Sequence, residues 1–121
     1  MPDLGVSYTL PRAVGLSKAC EMIFSGDIID AAEAERIGLV SKVVPADQLL
    51  STTMELAKRI ANGPPMAIKY AKEVMYKAQE MDMEDTVKLE AVNFAKCMRS
   101  EDAAEGVKSF LEKRAPEFKG R

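Results

Sequence analysis

Histidine is absent from this chain of 121 residues, and cysteine occurs only twice. The absence excludes Ser-His-Asp and Cys-His catalysis by residues of the chain, as well as zinc sites built on imidazole. Cys20 and Cys97 lie far apart and lack metal-ligand spacing, so we predict two free thiols in a reducing compartment and no metal site. Acid–base chemistry would have to rest on aspartate, glutamate, lysine or tyrosine.

Long apolar runs and blocks of positive charge are also missing. No stretch approaches the roughly 20 apolar residues that a transmembrane helix needs, and the sequence beginning Met1-Pro2-Asp3 shows no signal peptide. The 17 lysines and arginines are mixed with 19 aspartates and glutamates, for a formal net charge of −2. This mixture lacks the basic surface that neutralises a phosphate backbone. We therefore predict a cytoplasmic protein that binds neither nucleic acid nor membrane.

What the chain does contain is amphipathic helical sequence, with 47% hydrophobic and 30% charged residues. Ser17 is the predicted N-cap of a helix that Gly26 ends. Asp30 followed by Glu33 has the pattern of an N-cap with its capping-box partner, and Gly38 suits the left-handed residue after a helix. The sequence therefore predicts two short helices before residue 39.

The segment 39–44 is short, rich in β-branched residues and stopped by Pro45, which makes it the one predicted β-strand. The strongest break in the chain is Asn62-Gly63-Pro64-Pro65. The remaining periodicity predicts one helix over 47–61 and three more that begin at about Pro65, Asp82 and Ser100. An irregular tail is predicted from Ala115. One strand on its own leaves its backbone groups without partners. The chain is then either a small helical bundle with 39–44 as a buried linker, or part of a larger fold or assembly.

Three motifs follow one another in the first half of the chain: LPRAVG at 10–15, SGDIIDA at 25–31 with Glu33 and Ala34, and GLVSKVVP at 38–45. In this order they resemble the second half of the crotonase (enoyl-CoA hydratase/isomerase) superfamily, whose members carry LPRLVG, TGxxISAEEA and GLVNxVVP. The ending SFLEKR at 109–114 with Phe118 is similar to the family's F-x-E-K-R-x-x-x-F. Each motif alone is weak, but three in order are specific.

The resemblance implies a fold of stacked β-β-α turns followed by helices that drive trimerisation. We therefore expect a mainly α chain with one short β-strand, forming the C-terminal part of a crotonase-like α/β spiral plus a helical trimerisation region. Residues 1–62 would end the core spiral, and residues 63–121 would form the helical oligomerisation region. The expected assembly is a homo-oligomer, either a trimer or a hexamer built of trimers.

The resemblance also implies an acyl-CoA substrate, whose thioester carbonyl is held by two backbone N–H groups while a carboxylate moves a proton or delivers water. No metal or redox cofactor is implied, since coenzyme A is part of the substrate. The family's oxyanion-hole peptides and its main acidic residues would lie upstream of Met1. We therefore expect part of an enoyl-CoA isomerase or hydratase that is inactive as an isolated chain. The alternative is a helical oligomerisation or interaction module without catalysis.

The resemblance assigns candidate roles to a few residues. Asp3 stands where some isomerases of the family carry a catalytic carboxylate; alternatively, it only caps the helix that includes Ser7 and Leu10. Phe94, Phe110 and Lys113 match positions that hold the adenine and phosphates of CoA in relatives, partly across a subunit boundary. The alternative is that the two phenylalanines are core residues and that Lys113 is solvated. Arg12 is expected to bind a carboxylate or a helix end rather than substrate.

Overall fold

A computed structural model describes all 121 residues, which form seven α-helices and one short 3-10 helix. In chain order the α-helices are α1 Val6–Val14, α2 Leu16–Ser25, α3 Ala31–Arg36, α4 Leu49–Ala61, α5 Pro65–Lys77, α6 Met83–Met98 and α7 Glu101–Glu112. The 3-10 helix Ala46–Gln48 leads directly into α4. The chain divides into two compact units, residues 1–52 and 53–121, and α4 spans their junction. None of the helices has the length and apolarity that a membrane crossing requires.

In the first unit, α1 and α2 pack against each other around Ala19, which is 1% exposed. Helix α2 ends at Gly26 with φ of 70°, as predicted. Its start differs from the prediction, because Gly15 occupies the N-cap position and Ser17 lies inside the helix. The predicted Ser17 cap is therefore wrong.

Helix α3 begins and ends where the sequence predicts. The Asp30 carboxylate accepts a hydrogen bond from the Glu33 N–H at 2.8 Å, and Gly38 follows the helix with φ of 77°. The Glu33 side chain forms ion pairs with Arg36 at 2.6 Å and with Lys18 of α2 at 3.2 Å. The Arg36 hydrogen bond, supported by Lys18, lowers the pKa of Glu33 to about 2. This charge pair links α2 to α3.

No strand forms over residues 39–44, so the predicted β-strand is wrong. The N–H groups of Leu39 and Val40 donate instead to the carbonyl of Ala34 at 2.9 and 3.3 Å. The Val43 N–H donates to a carboxylate oxygen of Glu35 at 3.0 Å. Because the chain offers no second strand, the end of α3 satisfies these backbone groups. Most of the segment is exposed, so it is not a buried linker either.

In the second unit the helix starts agree with the sequence. Pro64 and Pro65 occupy the N-cap and first positions of α5, where the missing N–H of proline costs little. Asp82 caps α6 through the Asp85 N–H at 2.8 Å. Ser100 caps α7 in the same way, through the third residue of that helix. The division predicted at residue 63 concerned an oligomerisation role and stays a prediction.

Very little apolar surface is buried within the chain. Ala19 and Val74 are its only buried hydrophobic residues, whereas the buried polar residues are Asn93, Asp102 and Ser109. Many large apolar side chains are exposed, among them Leu4, Leu16, Phe24, Ile28, Met75, Phe94, Phe110 and Leu111. A self-contained domain gathers such residues into one contiguous core. The burial pattern therefore favours a part of a larger fold or assembly over an independent helical bundle.

Candidate functional site

Asp3 lies in a turn just before α1. Its carbonyl oxygen accepts a hydrogen bond from the Val6 N–H at 3.0 Å, and both residues inside this turn have positive φ: 49° at Leu4 and 85° at Gly5. The N-cap of α1 is Gly5, and no side chain caps the N–H groups of the first turn. The alternative in which the Asp3 side chain caps α1 is therefore wrong. Its carboxylate is left exposed beside a leucine in a backbone region that bulky residues rarely adopt.

Arg12 is held within its own helix. Its guanidinium lies 3.5 Å from the centroid of the Tyr8 ring, and its Nη1 donates to the Tyr8 carbonyl at 3.0 Å. Stacking and the hydrogen bond together fix the side chain along α1. The expected partner was a carboxylate or a helix end, whereas the partner observed here is a carbonyl within the same helix.

Phe94 projects from α6 into a groove between α5 and α6. The groove has a volume of about 460 Å³, and its lining is mainly apolar. The other lining residues include Ala67, Tyr70, Val74, Met75 and Cys97. Phe94 is 66% exposed, so its ring is open to a partner from outside the chain. The groove offers an aromatic face next to an apolar channel.

A polar network centred on the buried Asn93 lies along this groove. Asn93 is 3% exposed; its amide donates to a carboxylate oxygen of Glu73 at 3.4 Å and accepts from Lys96 at 3.2 Å. A hydrogen bond from Lys77, followed by smaller contributions from Asn93 and Lys96, lowers the pKa of Glu73. The Lys96 ammonium lies 5.1 Å from the centroid of the Tyr70 ring. The network connects α5 to α6 and holds a positive charge near the aromatic side of the groove.

Phe110 and Lys113 lie together at the end of α7. Phe110 is 82% exposed, and Lys113 has φ of 53° and ψ of 40°, the left-handed conformation that usually belongs to glycine after a helix. The Arg114 N–H donates back to the Ser109 carbonyl at 3.1 Å, which closes this turn. Neither phenylalanine of the candidate site is a core residue of this chain. Phe110 and Lys113 share one helix end, whereas Phe94 lines a groove that includes neither of them.

The C-terminal tail (residues 115–121) is anchored to α7, which the sequence did not predict. Arg114 pairs with Glu105 through both guanidinium Nη atoms, one of them at 2.9 Å. This pair, together with the Glu117 N–H, lowers the pKa of Glu105 to about 2. A signal for the two ion pairs of this region was the helical spacing of acidic residues 101 and 105 in α7, ahead of the basic residues 114 and 121 with which they pair.

Comparison with known proteins identifies the fold to which these elements belong. A sequence profile of enoyl-CoA hydratase/isomerase matches residues 1–121 of the chain. The chain belongs to the enoyl-CoA hydratase/isomerase family. The resemblance predicted from the motifs at 10–15, 25–34 and 38–45 is confirmed, and the helical architecture is that of the helical C-terminal part of the crotonase fold.

Individual members of the enoyl-CoA hydratase/isomerase family match along the whole chain. A probable enoyl-CoA hydratase of Mycobacterium tuberculosis is 42% identical over 121 residues, which are 100% of this chain and 47% of that protein. The 2,3-dehydroadipyl-CoA hydratase of Escherichia coli is 39% identical over 121 residues, again 100% of this chain and 48% of the relative. The crystal structure of an enoyl-CoA hydratase from Bacillus anthracis superposes with a TM-score of 0.97 at 35% identity, covering 100% of this chain and 47% of that one. The chain spans about half the length of the curated relatives it matches.

Proposed function

We propose that this chain is the C-terminal portion of an acyl-CoA-processing enzyme that isomerises or hydrates an enoyl-CoA. The family match over all 121 residues is the observation that carries the proposal. The relatives that match along the chain are named as enoyl-CoA hydratases or as a hydratase of a related CoA thioester. The enzyme would use no metal or redox cofactor, because the chemistry is proton transfer next to a polarised thioester carbonyl.

Asp3 would be the carboxylate of this chain that moves the proton. The turn closed by the Val6 N–H fixes the backbone of Asp3. The position from which its exposed carboxylate projects is therefore set. The positive φ of Leu4 within that turn costs free energy, and strain of this kind is found most often at functional sites. A carboxylate at this position favours double-bond isomerisation over hydration, because the family resemblance places the catalytic carboxylate of some isomerases here.

Phe94, Phe110 and Lys113 would bind the CoA portion of the substrate. Both phenylalanine rings are exposed, so an adenine ring can stack on either of them. Lys113 forms no ion pair within the chain, and its ammonium is available to a phosphate. Phe94 lines a groove that does not include Phe110 and Lys113 at the end of α7. We therefore expect one CoA molecule to contact Phe94 of one subunit and the α7 end of another.

The direct test is turnover of an enoyl-CoA by the full-length enzyme that contains this chain. We expect the double bond of a 3-enoyl-CoA to migrate. The absorbance of the conjugated 2-enoyl-CoA thioester measures this reaction as the product forms. A side-by-side assay with a 2-enoyl-CoA measures hydration and distinguishes the two reactions. A folded full-length protein that acts on neither thioester would favour the alternative, a helical interaction module without catalysis.

We propose a homo-oligomer, either a trimer or a hexamer built of trimers, with residues 63–121 at the interface. The exposed apolar side chains of the second unit support this assembly. The second unit exposes the large apolar side chains of Met75, Val87, Phe94 and Leu111, and apolar surface left exposed in this way favours an interaction site. Sedimentation velocity of the chain at micromolar concentration should give the mass of a trimer or larger. A well-folded monomer under these conditions would contradict the proposal. The cytoplasmic location stays a prediction.

A further inference from the structure

The C-terminal tail has no regular secondary structure, yet it lies back along α7. The Glu117 N–H donates to Glu105 at 2.9 Å. Further on, the N–H groups of Lys119 and Gly120 donate to the two carboxylate oxygens of Asp102 at 2.6 and 2.8 Å. Side chains of α7 therefore take the place of a partner strand for this part of the backbone.

Asp102 is the central anchor of the tail. It is 4% exposed, and its own N–H donates to the carbonyl of Arg121 at 3.2 Å. A buried carboxylate is costly unless hydrogen bonds satisfy it, and both of its oxygens are satisfied here by backbone groups of the tail. Release of the tail would leave this carboxylate without those donors. The tail and Asp102 therefore depend on each other.

Phe118 provides an apolar anchor between the polar ones. Its half-buried ring lines a groove of about 220 Å³ together with Pro64, Met66, Cys97 and Ala103, so it contacts a surface formed by three helices. Gly120 then turns the chain over the start of α5. A Cβ added to this glycine would lie 3.5 Å from the Pro65 Cβ. Its φ of 77° is a conformation that other residues adopt only with strain. The tail thus joins the first turn of α5 to α7.

We propose that the tail is a clasp that opens and closes as one unit, with Asp102 and Phe118 as its two closing contacts. Since these contacts fall on neighbouring residues of a seven-residue segment, the loss of either one should release both. The open state withdraws Phe118 from the wall of the apolar groove and separates the tail from the start of α5. Segments of this kind open locally at a lower free energy than the whole protein unfolds.

Amide hydrogen exchange in the full-length enzyme that contains this chain, measured by NMR at Lys119 and Gly120, tests the clasp. In the wild-type enzyme these two amides should be protected. Asp102→Asn removes one acceptor directly, and Phe118→Ala removes only the distant ring. We expect exchange at both amides to become at least about tenfold faster in either variant, which corresponds to the loss of one charge-assisted hydrogen bond.

Two residues that do not contact the tail serve as controls. Glu84→Gln alters an exposed carboxylate that pairs with Lys88 of α6, and Phe110→Ala removes an exposed ring of α7. Neither should change exchange at the two amides. Should Asp102→Asn fail to fold, the pair Phe118→Ala and Phe118→Leu decides, because leucine keeps a large apolar side chain at this anchor and should keep the amides protected.

The proposal is overturned if these amides exchange at unprotected rates in the folded wild-type enzyme. It is equally overturned if Phe118→Ala leaves them protected, since the two anchors would then be independent. Trypsin cleavage after Arg114 gives a second measurement. It should become faster in Asp102→Asn and Phe118→Ala and stay unchanged in the two control variants.

Discussion

Replacement of Asp3 by asparagine in the full-length enzyme should slow isomerisation of a 3-enoyl-CoA by about a hundred- to ten-thousand-fold, the usual contribution of a general base. Asparagine keeps the size and most of the hydrogen-bonding shape of aspartate but cannot accept the proton. The turn itself should persist, because the backbone carbonyl of residue 3, and not its side chain, bonds to Val6. Steady-state kinetics should show the loss in kcat, while calorimetry shows nearly unchanged affinity for CoA.

Asp47→Asn is the matched control, because it makes the same exchange at an exposed aspartate in the 3-10 helix. It should retain the wild-type rate. The isolated 121-residue chain should give no measurable turnover, since each oxyanion-hole donor that the family resemblance places upstream contributes roughly a hundred- to thousand-fold. An Asp3→Asn variant that isomerises at the wild-type rate would remove Asp3 from the mechanism. Turnover by the isolated chain would show that the essential donors lie within it.

Local signals were sufficient for most of the helix ends. Asp30, Asp82 and Ser100 each accept a hydrogen bond from an N–H in the first turn of the helix that follows, and this interaction depends only on residues three apart. Gly26 and Gly38 end their helices with positive φ for an equally local reason. The family resemblance rested on sequence order alone, and the structure agrees with the helical part of the fold that it implied.

Features that depend on distant residues were missed. Residues 39–44 have strand composition, but a strand needs a neighbour, and the chain provides only the end of α3. The Asp102 carboxylate meets amides 17 and 18 residues away, a separation that no helical or strand period encodes. In the candidate site, the positions of Asp3, Phe94 and Lys113 followed from the resemblance. The positive φ of Leu4 and the groove at Phe94 did not, because both depend on how the backbone packs.

Lys113→Gly should make the protein more stable and at the same time weaken its binding of CoA. The left-handed backbone at Lys113 costs a residue other than glycine roughly 1–2 kcal/mol, part of which is offset by the greater freedom of glycine in the unfolded chain. We therefore expect a gain of about 1 kcal/mol in the free energy of unfolding, measured by urea denaturation. Loss of the ammonium should weaken CoA binding about tenfold at low salt, and less at high salt, where ions screen the phosphate.

Lys88→Gly in the middle of α6 is the matched control for Lys113→Gly, because it removes the same charge from a helical position. Its ammonium pairs with Glu84 and Asp85, 2.8 and 3.2 Å away, and does not belong to the proposed site. Glycine inside a helix costs about 1 kcal/mol, so this variant should lose stability and keep its affinity for CoA. The two glycine variants should therefore differ in both measurements, with opposite changes in stability. If Lys113→Gly binds CoA as tightly as the wild type, Lys113 does not contact CoA and is only solvated. If the variant loses stability, the Lys113 side chain supports the end of α7.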